Sequence, residues 1–314
     1  MHHMRLLAWL GLCLLALPVY TARAENATIA EYTQKADTGI INWITGYASA
    51  SGTGVPPANS VSLAQARAMA IRAATVDARR NLFGLIRAVQ VDAQTTIRDA
   101  MEADNSVLEK VRGFLQNSQI VDTAYMSDGS VAVTVGLSLR GGLSSAVLPP
   151  GTPFMMARPQ LDALTVLPAP GERVIVPQNI NGTLPAPSNG NGTVASTFPA
   201  FAATGLVLDA RGLDARPALS PRVVDENGNE VYSASFAGRE PAIQQGLTGY
   251  VTSLEQAVAS ERVGEHPLVL KVLAVRGRGR TDFLISAAAA RHLFSQAMGK
   301  DFLEMCRVIV VLDE

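Results

Sequence analysis

Residues 61–89 read VSLAQARAMAIRAATVDARRNLFGLIRAV. Leu63, Ala66, Ala70, Ala74, Ala78, Leu82, Leu85 and Val89 recur at three- and four-residue steps, the period of one long amphipathic helix. Ser62 stands where an N-cap is needed. Arg67, Arg72, Asp77, Arg79, Arg80 and Arg87 mostly fall off the apolar stripe, and Asp77 with Arg80 has the spacing of a solvated ion pair. Four of the buried positions are alanine, so this helix can lie unusually close against whatever covers it, as a helix laid across a small sheet does. Gly84 lowers the propensity of its last turns by about 1 kcal/mol relative to alanine.

Upstream of this helix, residues 43–52 (WITGYASASG) predict a strand, closed by the loop 54–59 with its two prolines. Downstream, residues 106–116 (SVLEKVRGFLQ) predict a shorter helix with Val107, Val111 and Leu115 on one face. Residues 119–125 and 130–139 flank Ser127-Asp128-Gly129, a hairpin signal. The order is strand, long helix, short helix, hairpin, which makes a sheet of about three strands. No Lys or Pro guards residues 130–139, so this strand is expected at an open edge, with Val133 and Val135 beside any assembly contact.

The run ARAMAIRAATVDARRNL at 66–82, with the Asp-Gly hairpin beyond it, resembles a group of bacterial outer-membrane lipoproteins with a dodecin-like β-α-β-β domain. It is also similar to the N-terminal part of the flagellar assembly protein T family. The resemblance spans about residues 40–145. It implies an envelope protein, tied to the outer membrane or the flagellar basal body, that assembles through its sheet and carries no enzymatic activity. Unlike the lipoprotein members, this chain has no cysteine suited to lipidation.

Residues 1–24 read as a secretory label: Arg5 in a short n-region, an apolar stretch from Leu6 to Val19, and Ala22-Arg23-Ala24 as the cleavage site. Leu12 before Cys13 is too large for a lipoprotein signal. Among 26 basic and 27 acidic residues, this label takes Arg5 and Arg23, leaving a formal charge of −3 and no electrostatic footprint for nucleic acid. Cys306 then remains without a disulfide partner. The expected location is the periplasm, with association to the outer membrane and no transmembrane segment in the mature chain. The sequons at Asn26, Asn181 and Asn191 carry no weight in a bacterial chain.

The division expected is a label at 1–24, a dodecin-like α+β domain at 25–146, a linker at 147–203 and a second α+β domain at 204–314. Ten of the 17 prolines fall between residues 148 and 200, which predicts a semi-rigid join between independently folding halves. Only residues 161–167 and 174–176 there could pack on a neighbour. In the second half, GLVLD at 205–209 predicts a strand, and residues 222–224 and 230–232 a hairpin with a type I′ turn at Asn227-Gly228. Residues 242–259 and 287–305 are helix-compatible. Residues 267–275 and 281–286 flank Arg276-Gly277-Arg278-Gly279-Arg280 as a second hairpin. The unbroken apolar run at 307–312 predicts a strand covered on both faces.

Chemistry is sparse. His266, His292 and Cys306 lack metal-ligand spacing. No nucleophile elbow, P-loop or dinucleotide fingerprint occurs, so no cofactor is expected. Cys306, among Leu303, Met305 and Val308, reads as a buried small hydrophobe. Arg276, Arg278 and Arg280 are the sharpest polar feature, either an exposed hairpin tip or a loop for an anionic ligand. The function expected is a non-enzymatic structural or assembly protein of the envelope, with partners there or self-association through sheet edges. The alternative is a periplasmic binding module for an anionic envelope ligand.

Overall fold

The structure is a computed structural model that describes residues 32–37, 39–148, 151–156 and 202–313. The stretch read as a secretory label, with Cys13, the three sequons, and the apolar pieces at 161–167 and 174–176 lie outside these residues. The architecture is α+β, with three sheets and seven α-helices among the described residues.

The first sheet contains β1 (Thr33–Ala36), β2 (Gly39–Asn42), β3 (Tyr47–Gly54), β4 (Gln119–Tyr125) and β5 (Val131–Ser138). It is antiparallel throughout, in the order β1-β2-β3-β5-β4. Five strands therefore stand where about three were expected. The segment 43–52 is not one strand. Asn42 Oδ1 accepts the N–H groups of Ile44 and Thr45, and Gly46 turns the chain at φ +67°, so residues 43–46 reverse direction before β3 begins. A side-chain cap and one left-handed glycine outweigh the strand propensity of Trp-Ile-Thr.

Helix α1 (Leu63–Arg87) starts at Ser62, whose side chain accepts the N–H of Gln65. Its buried face is Ala70, Ala74, Ala78, Leu82, Leu85 and Ile86. Leu63, read as the start of the stripe, is 90% exposed because the first turn overruns the end of β3. The alanines meet Ala48, Ala50, Gly52 and Gly54 of β3. A Cβ on Gly52 would stand 2.7 Å from the Ala74 carbonyl oxygen, closer than any side chain tolerates. Val131, Val133 and Val135 of β5 are buried in the same core. Asp77 does not form the expected ion pair with Arg80. It accepts the Thr53 N–H at 3.0 Å, while Asn81 donates to the Ser51 carbonyl at 2.8 Å. Both cap the part of β3 that β2 is too short to cover.

Between α1 and the hairpin lie α2 (Ile97–Ala103) and α3 (Asn105–Gln116). The sequence reading lacked α2, although Thr96 and Asp99 form a complete capping box. Val107, Val111 and Leu115 of α3 are buried as the spacing implied. Gly129 takes φ +86° in the predicted hairpin turn. The edge assignment fails: β5 is central, and Val133 and Val135 are fully buried. Among the described residues the outer strands are β1 and β4. A short helix, α4 (Gly142–Val147), follows.

The C-terminal part holds β6 (Gly205–Asp209), β7 (Val223–Asp225), β8 (Glu230–Tyr232), α5 (Arg239–Gln245), β9 (Gly249–Val251), α6 (Leu254–Ala259), β10 (Pro267–Lys271), β11 (Ala274–Arg276), β12 (Asp282–Ile285), α7 (Ala287–Ala297) and β13 (Val308–Val311). One sheet is wholly parallel, in the order β10-β6-β13-β9. As the apolar run predicts, β13 is central and buried on both faces. Val207, Ile309 and Val311 face α6, and Leu206, Leu208, Val308 and Val310 face the main core. The other sheet has the order β11-β12-β7-β8.

Four readings need correction here. Residues 242–259 are broken by β9, so they form two short helices. Residues 267–275 divide between sheets: the Val272 N–H bonds Asp209 O, and the next N–H, of Leu273, bonds Leu284 O. The β7–β8 turn is not type I′. Gly228 alone is left-handed there (φ +83°), and the Asp225 carboxylate accepts the N–H groups of Asn227 and Asn229. Helix α7 stops at Ala297, with Gly299 at φ +68° just beyond.

The two parts share one hydrophobic core, which runs from Ile41 and Trp43 through Leu82 and Val133 to Leu206, Phe283 and Val310. Backbone bonds join them as well: Ser220 N–H to Val91 O at 2.7 Å, and Gly141 N–H to Ile243 O at 2.8 Å.

Candidate functional site

The Arg-Gly-Arg-Gly-Arg loop is not a free tip. The Gly279 N–H donates to the Ala93 carbonyl at 2.7 Å, and Gly277 (φ +81°) leaves no room for a Cβ above Ala93. The two glycines let the loop backbone lie flat on residues 90–93. This docking separates the three arginines. The Arg280 guanidinium donates to the Leu213 carbonyl at 2.7 Å and pairs with Asp214 at 2.6 Å, so it is spent on holding the C-terminal part together. Arg276 is exposed and lines no cleft with Arg278.

Arg278 reaches a cleft of about 420 Å³ where the two parts meet. Arg87, at the end of α1, and Arg98, in the first turn of α2, line the same cleft, with Asp99 and Gln94 beside them. The Arg87 Nε is buried with no hydrogen-bond partner; its guanidinium lies 3.7 Å from Glu102 and 5.5 Å from the Phe83 ring centroid. Hydrogen bonds from the Thr96 backbone and side chain hold the Asp99 carboxyl below its ordinary range, with the charges of Arg98 and Arg278 acting in the same direction. Of the arginines nominated from sequence, only Arg278 belongs to this group. Arg87 and Arg98 were passed over because nothing local distinguishes them.

A larger cleft of about 580 Å³ opens between residues 91–95, Leu148, residues 151–153 and residues 220–235. Its arginine, Arg222, is bound to Asp282 at 2.6 Å, which raises its pKa. Arg262 is a third cation invisible to sequence reading. Its enclosed guanidinium donates to the carbonyls of Gly246 (2.6 Å), Gln245 (2.8 Å) and Cys306 (3.0 Å), a clamp on the start of β9 and β13. Desolvation lowers its pKa. Cys306 is fully buried, and burial pushes its thiol up to about 11, far from a reactive nucleophile. Among the described residues, no group of three or more His, Cys, Asp and Glu could hold a metal ion. No helix among them is long and apolar enough to cross a membrane.

The other candidate surface is β4, which among the described residues pairs only with β5. Val121 and Tyr125 are each 58% exposed, and Ile120 and Met126 are exposed beside them. The register slips between Ile120 and Asp122, and the Asp122 carboxylate accepts the Thr123 N–H at 2.8 Å. Arg67 stacks over the Tyr125 ring at 5.4 Å. Pro56 lies under Gly129, so the hairpin tip and the loop after β3 form one end of the sheet.

Residues 205–314 match a protein family described as Treponema pallidum Tp0624, second domain. The match covers about a third of the chain and begins at the first residue of β6. No curated protein sequence matches the chain.

Proposed function

We propose that this protein is a non-enzymatic assembly protein of the bacterial cell envelope that associates with a second copy of itself by pairing β4 edge to edge. The observation that carries the reading is β4 itself: an outer strand of seven residues with Ile120, Val121 and Tyr125 turned to solvent. An open strand edge presents unpaired N–H and C=O groups. Antiparallel pairing with the same strand of a second copy would close both edges at once and cover these side chains, as a two-fold interface requires. Asp122 sets the register, because a pairing centred on it would oppose two carboxylates. A shift toward Val121 places Asp122 opposite Ile120 and keeps the contact within β4. The bulge at Val121 shortens the edge and limits uncontrolled growth. The secretory reading of residues 1–24 and the likeness to envelope families support the location.

Light scattering on the mature chain at tens of micromolar tests this reading. A dimer is expected, and Val121→Lys should shift it to monomer with an unchanged circular dichroism spectrum, since Val121 lies in the bulge and supports no core contact. A monomeric native chain, or a dimer indifferent to Val121→Lys, overturns it.

A further inference from the structure

From the convergence of Arg87, Arg98 and Arg278 on one cleft, we infer an anion site that takes a phosphate group, distinct from the β4 surface and independent of whether the chain dimerises. The three guanidiniums come from three separate elements: the last turn of α1, the first turn of α2 and the loop between β11 and β12. Only tertiary docking brings them together. Among the described residues, neither Arg98 nor Arg278 has a carboxylate within ion-pair distance, and Arg87 has only Glu102, at 3.7 Å.

Three arginines are gathered here around one lining carboxylate, Asp99, with Glu102 at 3.7 Å from Arg87, whereas Arg222 and Arg280 each hold an ion pair at 2.6 Å. The buried, unpartnered Nε of Arg87 is a donor left over beside the same cleft. Asp99 is the one carboxylate in the lining, set against three arginines, and Thr96 engages one of its oxygens, Oδ2, with both its N–H and its hydroxyl. The cleft is therefore cationic. Guanidiniums supplied by three separate elements suit a tetrahedral anion with several acceptor oxygens better than a single planar carboxylate. Gln94 adds a neutral hydrogen-bonding group at the wall. A phosphate carried on a soluble molecule and one carried on a lipid headgroup present the same chemistry to these residues.

The test is calorimetric titration of the full chain with inorganic pyrophosphate at low ionic strength, beside Arg98→Gln/Arg278→Gln and the same-loop control Arg276→Gln. All three positions are exposed, so folding should persist, as circular dichroism can verify. Saturable binding is expected, weakened at least about tenfold by the double change and less than about twofold by Arg276→Gln. Co-sedimentation with phosphatidic-acid vesicles, against phosphatidylcholine vesicles, assigns the phosphate to lipid if the chain follows the former and to a soluble ligand if it follows neither. Absence of saturable pyrophosphate binding, or equal loss in the Arg276→Gln control, overturns the site.

Discussion

Trp43, in the turn that closes β2, meets Tyr250 of β9 edge-on, with ring centroids 5.5 Å apart and planes inclined by 77°. Both rings are buried, and both have their polar ends satisfied. The indole N–H donates to Gln34 Oε1 at 3.1 Å; the Tyr250 hydroxyl donates to the Ala218 carbonyl at 2.9 Å and accepts its N–H at 3.1 Å. One aromatic pair thus ties the antiparallel sheet to the parallel one. The Pro-rich join had suggested halves that fold independently, and the shared core argues the reverse.

Trp43→Ala should therefore destabilise the whole chain, by about 3–5 kcal/mol for a buried aromatic, in a single thermal transition. Residues 202–314 expressed alone should lose cooperative unfolding, because they would expose the face of Tyr250 and Leu206. Thermal circular dichroism checks both. A C-terminal fragment that melts cooperatively at the temperature of the full chain would restore independence.

The contact of α1 with β3 is built from alanine and glycine, so adding atoms should harm it. Ala70→Leu and Gly52→Ala are each expected to cost about 1–3 kcal/mol by overpacking, although both favour their local structure. Gly84 supplies the contrast. Nothing lies within 4 Å of a Cβ placed there, so Gly84→Ala should stabilise by up to about 1 kcal/mol. Urea midpoints of the three variants decide the matter; equal effects at Gly52 and Gly84 would mean that the helix does not rest on the strand.

Alkaline pH should unfold this protein through its core. Burial pushes the Cys306 thiol up to about 11 and the Tyr250 hydroxyl up to about 12. Both groups are neutral when protonated, so raised folded values mean that the unfolded chain releases protons first. The stability they contribute is intact below about pH 9 and is lost as pH climbs from there toward 11 for Cys306 and 12 for Tyr250. For the thiol alone the loss is about 1–3 kcal/mol across that window. Cys306→Ala should flatten the decline between pH 9 and 10.5 in chemical denaturation, and a decline identical to the native chain's would remove the thiol from the account.

Much of the α+β plan was legible in the sequence because its signals are local. Helix α1 follows from a 3.6-residue period and Ser62, the β4–β5 hairpin from Asp128-Gly129, and the buried C-terminal strand from an unbroken apolar run. The capping box of α2 was equally local and could have been read from Thr96 and Asp99. Sheet order was not local. Whether β5 or β4 takes the edge depends on β3, about 80 residues away, which pairs with β5 and buries Val133 and Val135. The break between β10 and β11 depends on two acceptors, Asp209 O and Leu284 O, that belong to different sheets. The candidate anion site is the clearest case. The sequence sets Arg276, Arg278 and Arg280 side by side, but the fold spends Arg280 on Asp214, leaves Arg276 outside, and brings Arg278 to Arg87 and Arg98. Periodicity and caps are properties of neighbouring residues, whereas a charge cluster arises from which distant backbones hydrogen-bond and pack, and only the tertiary structure decides that.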